Sequence, residues 1–139
     1  MNAALNRLVW QRAGHCCEYC WMPQEFDPIP FEIDHIIAEK HKGPTVAGNL
    51  CLSCFYCNSF KGSDISSVDA VTRKLTRLFN PRRHKWARHL RWEGANLVGR
   101  TAIGRVTVEL LRINDRFRVA FREGLMSEGL FPPAFPEHQ

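Results

Sequence analysis

The chain has 139 residues, 45% of them hydrophobic, a length that suits one domain and a composition that excludes general disorder. No apolar run reaches the length of a membrane span, and the opening MNAALNRLVWQRAG lacks the apolar core and cleavage site of a signal peptide, so the sequence predicts a cytoplasmic protein with no membrane partner. The net charge of +5 is unevenly spread: residues 71–122 carry fourteen Lys or Arg against Glu93, Glu109 and Asp115, while residues 1–70 and the last seventeen are each net negative. So local an excess predicts a polyanionic partner, nucleic acid first among them.

In chain order, Asn2 is placed to cap a helix over residues 3–13 that Gly14 ends. A knuckle, Cys17-Glu18-Tyr19-Cys20, follows, and Pro23, Pro28 and Pro30 make residues 21–30 an irregular connection. Phe31 to Ile37 reads as a strand, though its alternation leaves His35 on the side of Phe31 and Ile33, from which a bulge or the strand end would have to redirect it. Residues 38–48 read as a loop, Asn49 to Ser53 as a second strand in an antiparallel hairpin, and Cys54 to Lys61 as a short helix before Gly62.

Residues 66–79 give the strongest helical periodicity, with Val68, Val71, Leu75, Leu78 and Phe79 as its apolar stripe and Pro81 as its stop. Leu90-Arg91-Trp92 and Asn96-Leu97-Val98 flank Glu93-Gly94-Ala95 as a hairpin. Thr101 is placed to cap one further helix, Asn114 or Asp115 another, and the tail from Phe131 reads as extended. Trp86 and Trp92 are expected to pack the hairpin on the helix rather than to stack on bases.

In a reducing compartment six cysteines predict metal ligands rather than disulfides. Two Cys-x2-Cys pairs 33 residues apart predict a structural zinc. Only Cys17 has the two-residue gap to Cys20, and Cys51-Cys54-Cys57 offers two registers. The choice falls on Cys17, Cys20, Cys54 and Cys57, with Cys51 as a small apolar strand residue and no role assigned to Cys16. Between the pairs, Asp34 offers a carboxylate and Asn58 a carbonyl oxygen, donors that suit Mg2+ or a similar hard ion. His35, beside Asp34, is a candidate to take a proton from water. Glu32 is a candidate to orient a neighbour.

Taken together, Cys17-Glu18-Tyr19-Cys20, Glu32-Ile33-Asp34-His35-Ile36, Asn49-Leu50 and Cys54-x2-Cys57-Asn58-x2-Lys61 resemble the HNH endonuclease family, in its ββα-metal form stapled by paired Cys-x2-Cys knuckles. The resemblance covers about residues 12–62. It implies hydrolysis of DNA phosphodiester bonds, with His35 as general base, Asp34 and Asn58 as ligands of one catalytic Mg2+ or Mn2+, and Asn49 bracing the loop behind the base. The last motif position is often His in this family; Asn58 makes the chain an H-N-N version and favours Mg2+ or Mn2+ over Zn2+.

The resulting expectation is an α+β fold, one domain over residues 1–139, with a nuclease core at about 12–65 and a basic, mostly helical extension at about 66–139. That extension is expected to meet duplex DNA through phosphates, using Lys61, Arg73, Arg77, Arg82, Arg83 and Arg88. The alternative is a zinc-folded DNA-binding module whose nuclease site is vestigial.

Overall fold

A computed structural model describes residues 1–134, so the part of the predicted tail beyond Ala134 lies outside the described residues. The first helix, α1 (Ala3–Arg12), is capped as its sequence predicts: Asn2 Oδ1 accepts from Leu5 N at 2.7 Å. Gly14 and His15 then take positive φ and turn the chain into the knuckle.

Strands β1 (Glu32–His35) and β2 (Leu50–Ser53) pair antiparallel, with Glu32 opposite Ser53 and His35 opposite Leu50. Every residue of β2 is buried. Helix α2 (Phe55–Lys61) follows at once and completes a ββα unit. Its N-cap is Cys54, whose sulfur accepts from Cys57 N at 3.4 Å. β1 ends at His35, earlier than the predicted Ile37, and that ending resolves the alternation conflict. As the last strand residue, His35 is free to leave the apolar side, while Ile36 turns inward and is buried.

The predicted helix over residues 66–79 is not formed. Its place is taken by a hairpin of β3 (Ser66–Val68) and β4 (Leu75–Arg77), with Val68 opposite Leu75. The physical reason is Asp69. Its backbone N–H donates to Lys74 O at 3.0 Å, its carbonyl accepts from Arg73 N at 2.8 Å, and its Oδ2 accepts from Thr72 N at 2.8 Å. An Asp that bonds its own following backbone competes with the helix ladder. Arg105 then grips the same carboxylate with two bonds, at 2.9 and 3.0 Å. Of the presumed stripe only Leu78 and Phe79 reach the core.

These bonds, Arg105 foremost, hold the Asp69 carboxyl well below its ordinary value. A depressed folded-state value contributes stability that is present above the unfolded carboxylate range, near pH 4, and lost as pH falls below it. Asp69→Asn is therefore expected to lower the melting temperature at pH 7, and the gap to wild type is expected to close as the pH falls below about 4. Parallel melting curves across pH check it.

The rest of the extension is mixed rather than mostly helical. After a short helix α3 (Trp86–His89) comes the predicted hairpin, β5 (Leu90–Glu93) and β6 (Asn96–Gly99), turning at Gly94 with φ of 60°. Helix α4 (Ala102–Leu110) is capped by Thr101, whose hydroxyl accepts from Gly104 N. It packs so closely on α3 and β6 that a Cβ on Gly104 would stand 1.9 Å from His89 O, and one on Gly99 2.3 Å from Arg105 N. Helix α5 (Arg116–Ser127) begins after Asp115, which makes no capping bond; Asn114 instead spans to Leu97, accepting from its N–H and donating to its carbonyl, both at 2.8 Å. Trp86 is buried, stacks on Trp21 at 3.9 Å and donates to Tyr19 O, the packing role expected of it.

Candidate active site and cysteine cluster

The knuckle is sewn to β2 before any metal is considered. Glu18 N donates to Leu52 O, and Leu52 N donates to Glu18 Oε2, both at 2.9 Å. The other Glu18 oxygen takes the Arg82 guanidinium. Burial pushes the Glu18 carboxyl above its ordinary value, and Arg82 and the Leu52 bond oppose that rise. Arg82 also donates to Leu50 O. Predicted as a phosphate contact, it is committed to the interior instead.

Knuckle and helix cap bring Cys17, Cys20, Cys54 and Cys57 together, all buried, with their sulfurs within 4.8 Å of one another. Cys20 and Cys54 sulfurs lie 3.8 Å apart. A disulfide would need about 2.05 Å. A tetrahedron with Zn–S bonds of about 2.3 Å has edges of about 3.8 Å, so the donor set and its spacing fit zinc. Cys16 and Cys51 are also buried but stand apart. Cys16 donates to Gly14 O at 3.4 Å and Cys51 to the Tyr19 hydroxyl at 3.6 Å. Burial pushes the Cys16 thiol up to about 11 and the Cys51 thiol higher still, so both stay neutral.

Two residues at this centre escaped the sequence reading. From α5, Arg118 donates to the Cys57 sulfur at 3.1 Å and approaches that of Cys54 at 3.8 Å, while its other nitrogen donates to Leu111 O and Arg112 O. Burial opposes its charge, but the thiolates of Cys57, Cys20 and Cys54 outweigh burial and hold its pKa above the ordinary value. Arg122, one turn on, is buried, donates to Ala95 O and Ile113 O, and lies over the Trp92 ring at 5.2 Å. Four thiolates on one Zn2+ leave a net charge of −2, and a buried guanidinium offsets part of it. The only sequence signal is the spacing of four, which puts both arginines on one helix face.

Across the ββα unit, α2 and β1 face each other through two matched pairs. Asn58 Nδ2 donates to Glu32 Oε1 at 2.7 Å, and the Lys61 ammonium lies 2.9 Å from Asp34 Oδ2. Glu32 and Asp34 share a strand face, and Asn58 and Lys61 are one helical turn apart, so the strand period of two meets the helix period of three to four. Lys61 is only 2% exposed and also donates to His35 O at 3.2 Å. Predicted as a phosphate contact, it is a buried brace of the site. Burial pushes the Asp34 carboxyl up, and Lys61 pulls it back down. Asp34 Oδ2 is buried, and its cation here is the Lys61 ammonium, whose place beside that oxygen a metal ion would have to share. Asp34 supplies a carboxylate and Asn58 an amide oxygen from facing elements of the unit, donor types that suit a hard divalent ion.

His35 lies at the open end of β1. Its Nε2 is 2.8 Å from Thr45 Oγ1, and Thr45 in turn donates weakly to Glu39 Oε2 at 3.5 Å. Neither Thr45 nor Glu39 was legible in the sequence, because both sit in the loop between the strands. Asn49 spans that same loop. Its Oδ1 accepts from Ile37 N at 2.9 Å, and its Nδ2 donates to Ile37 O at 3.0 Å and to Pro44 O at 2.9 Å. All three bonds are part-buried, and they fix the backbone on either side of Thr45.

Of the remaining predicted phosphate contacts, Arg73, Arg77, Arg83 and Arg88 are exposed, the first two on the β3–β4 hairpin and the others around α3. No curated protein and no solved structure matches the chain. Residues 17–64 match the family model of the HNH endonuclease, a span that runs from the first knuckle cysteine to just beyond α2. The stretch that matches the HNH endonuclease family, residues 17–64, thus folds as a ββα unit with a four-cysteine cluster compatible with a structural zinc.

Proposed function

We propose that the protein is a metal-dependent endonuclease that hydrolyses DNA phosphodiester bonds with His35 as its general base. The observation that carries this reading is the placement of His35, Asp34 and Asn58 on one ββα unit, with Asn49 fixing the loop behind the histidine. Nε2 of His35 is committed to Thr45, so the tautomer with its proton on Nε2 leaves Nδ1 as the acceptor. Nδ1 takes a proton from water, the water oxygen attacks phosphorus, and the bond from phosphorus to the leaving sugar oxygen breaks. Asp34 and Asn58 would hold Mg2+ or Mn2+, which when bound supplies positive charge to the phosphate and the leaving oxygen. Glu32, by accepting a hydrogen bond from Asn58 Nδ2, leaves the amide oxygen of Asn58 free to turn toward such an ion.

Supercoiled plasmid is the substrate for the test. Nicking is expected when Mg2+ or Mn2+ is supplied and is expected to stop when it is left out. Omission is the right control, because a chelator would also strip a cysteine-bound zinc. DNA binding without cutting in either ion would sink the nuclease reading and leave a binding module.

A further inference from the structure

The β3–β4 hairpin carries an exposed apolar surface that nothing in the fold uses. Val68 is 52%, Val71 70% and Leu75 73% exposed, and Ile65 at the hairpin base is also open. Val68 and Leu75 face each other across the strands. Such a surface on a short, solvent-facing ribbon marks an interaction site. Arg73 and Lys74 stand at the same tip, and Arg77 on β4, all exposed. The one carboxylate in the turn, Asp69, is buried and spent on Arg105, so the tip presents cations without a competing anion of its own.

The hairpin is also held in a fixed attitude beside the candidate site. Arg105 anchors its turn to α4, and Phe79 N donates to Thr107 Oγ1 on the same helix at 2.8 Å. At its base, Leu78 N donates to Ile65 O at 3.0 Å. There Ile65 and Arg77 share a small recess with Ile36, Ile37 and Lys61, the residues that flank His35. An anchored ribbon with an apolar and cationic tip therefore rises from a base that adjoins the chain neighbours of His35.

We propose that this hairpin is an arm that grips duplex DNA, with Val71 and Leu75 against the sugars and base edges of a groove and Arg73, Lys74 and Arg77 on the flanking phosphates. The proposal rests on the nuclease reading for its ligand. A two-stranded ribbon has the width that a DNA groove admits, and apolar side chains placed in a groove add contact that salt does not screen. The charge complementarity selects the polyanion over a second copy of this chain, whose matching hairpin would bring the same cations face to face.

Binding of the full zinc-loaded chain to a labelled duplex, followed by fluorescence anisotropy over a range of KCl, tests it. Val71→Ser/Leu75→Ser is expected to weaken binding about tenfold at every salt concentration and leave the salt slope unchanged. Arg73→Ala/Lys74→Ala is expected to reduce the slope of log K against log salt by about two. All four side chains are exposed, so zinc content and melting temperature should stay at wild-type values and report any loss of fold separately. Wild-type affinity and slope in both variants, with plasmid nicking intact, would overturn the arm and spare the nuclease. A wild-type dimer that Val71→Ser/Leu75→Ser splits, with DNA affinity unchanged, would overturn it in favour of self-association. A wild-type chain that neither nicks nor binds DNA would remove the nuclease reading first and the arm with it.

Discussion

His35→Ala is expected to lower metal-dependent nicking by about 10²- to 10⁴-fold while leaving zinc content and melting temperature near wild type. The side chain is partly exposed at the end of β1, and its one close partner is the Thr45 hydroxyl at 2.8 Å, so its loss leaves no buried group unsatisfied. Asp34 and Asn58, the proposed ion-binding pair, are untouched by the change. A loss of rate without a loss of structure would separate chemistry from folding. Thr45→Val extends the test, because it keeps the side-chain shape and removes the oxygen that fixes the imidazole tautomer. Its expected effect is smaller, about tenfold, with the pH–rate profile displaced. If His35→Ala nicks at the wild-type rate, another group is the base.

Cys57→Ser is expected to cost the protein its zinc and, with it, its native structure. Structural zinc in small domains contributes about 10–16 kcal/mol of apparent binding free energy, comparable with the whole stability of an ordinary domain. The loss should be compounded here, because Arg118 would remain buried with its thiolate partner removed. Cys51→Ser is the control that decides between the two cysteine registers. Its sulfur touches the Tyr19 hydroxyl and lies outside the group of four, so one zinc per chain should remain. Metal analysis and thermal melts of the two variants give the answer. Full zinc and an unchanged melt in Cys57→Ser would refute the assignment.

The core was legible because its signals are local and redundant. Asn2, Gly14 and two Cys-x2-Cys spacings each specify a few residues, and the structure joins them without conflict. The stretch 66–79 failed for the opposite reason. Its apolar spacing fits a helix, yet Asp69 satisfies its own turn and finds Arg105 in a helix 36 residues away. No window of local periodicity contains that contact. The charge excess is likewise only partly a surface charge. Arg82, Arg105, Arg118 and Arg122 count toward a basic surface in the sequence, but the fold turns them to Glu18, Asp69, the cysteine sulfurs and backbone carbonyls. Lys61 likewise sits inside, against Asp34. Thr45 and Glu39 were silent because a loop residue acquires a role only when the loop is folded.

Arg118 binds the cysteine centre from a helix that begins more than fifty residues beyond the end of the matched HNH span. A chain cut after α2 would keep all four thiolates and lose the cation that neutralises them, together with the apolar surface of α5. The matched segment is therefore a poor unit for transplantation: moved alone into another protein, it would carry the motif without the electrostatic lid that makes the motif stable. Unfolding should follow the same logic, with amides of α5 gaining hydrogen-exchange protection when zinc is added to the far end of the chain.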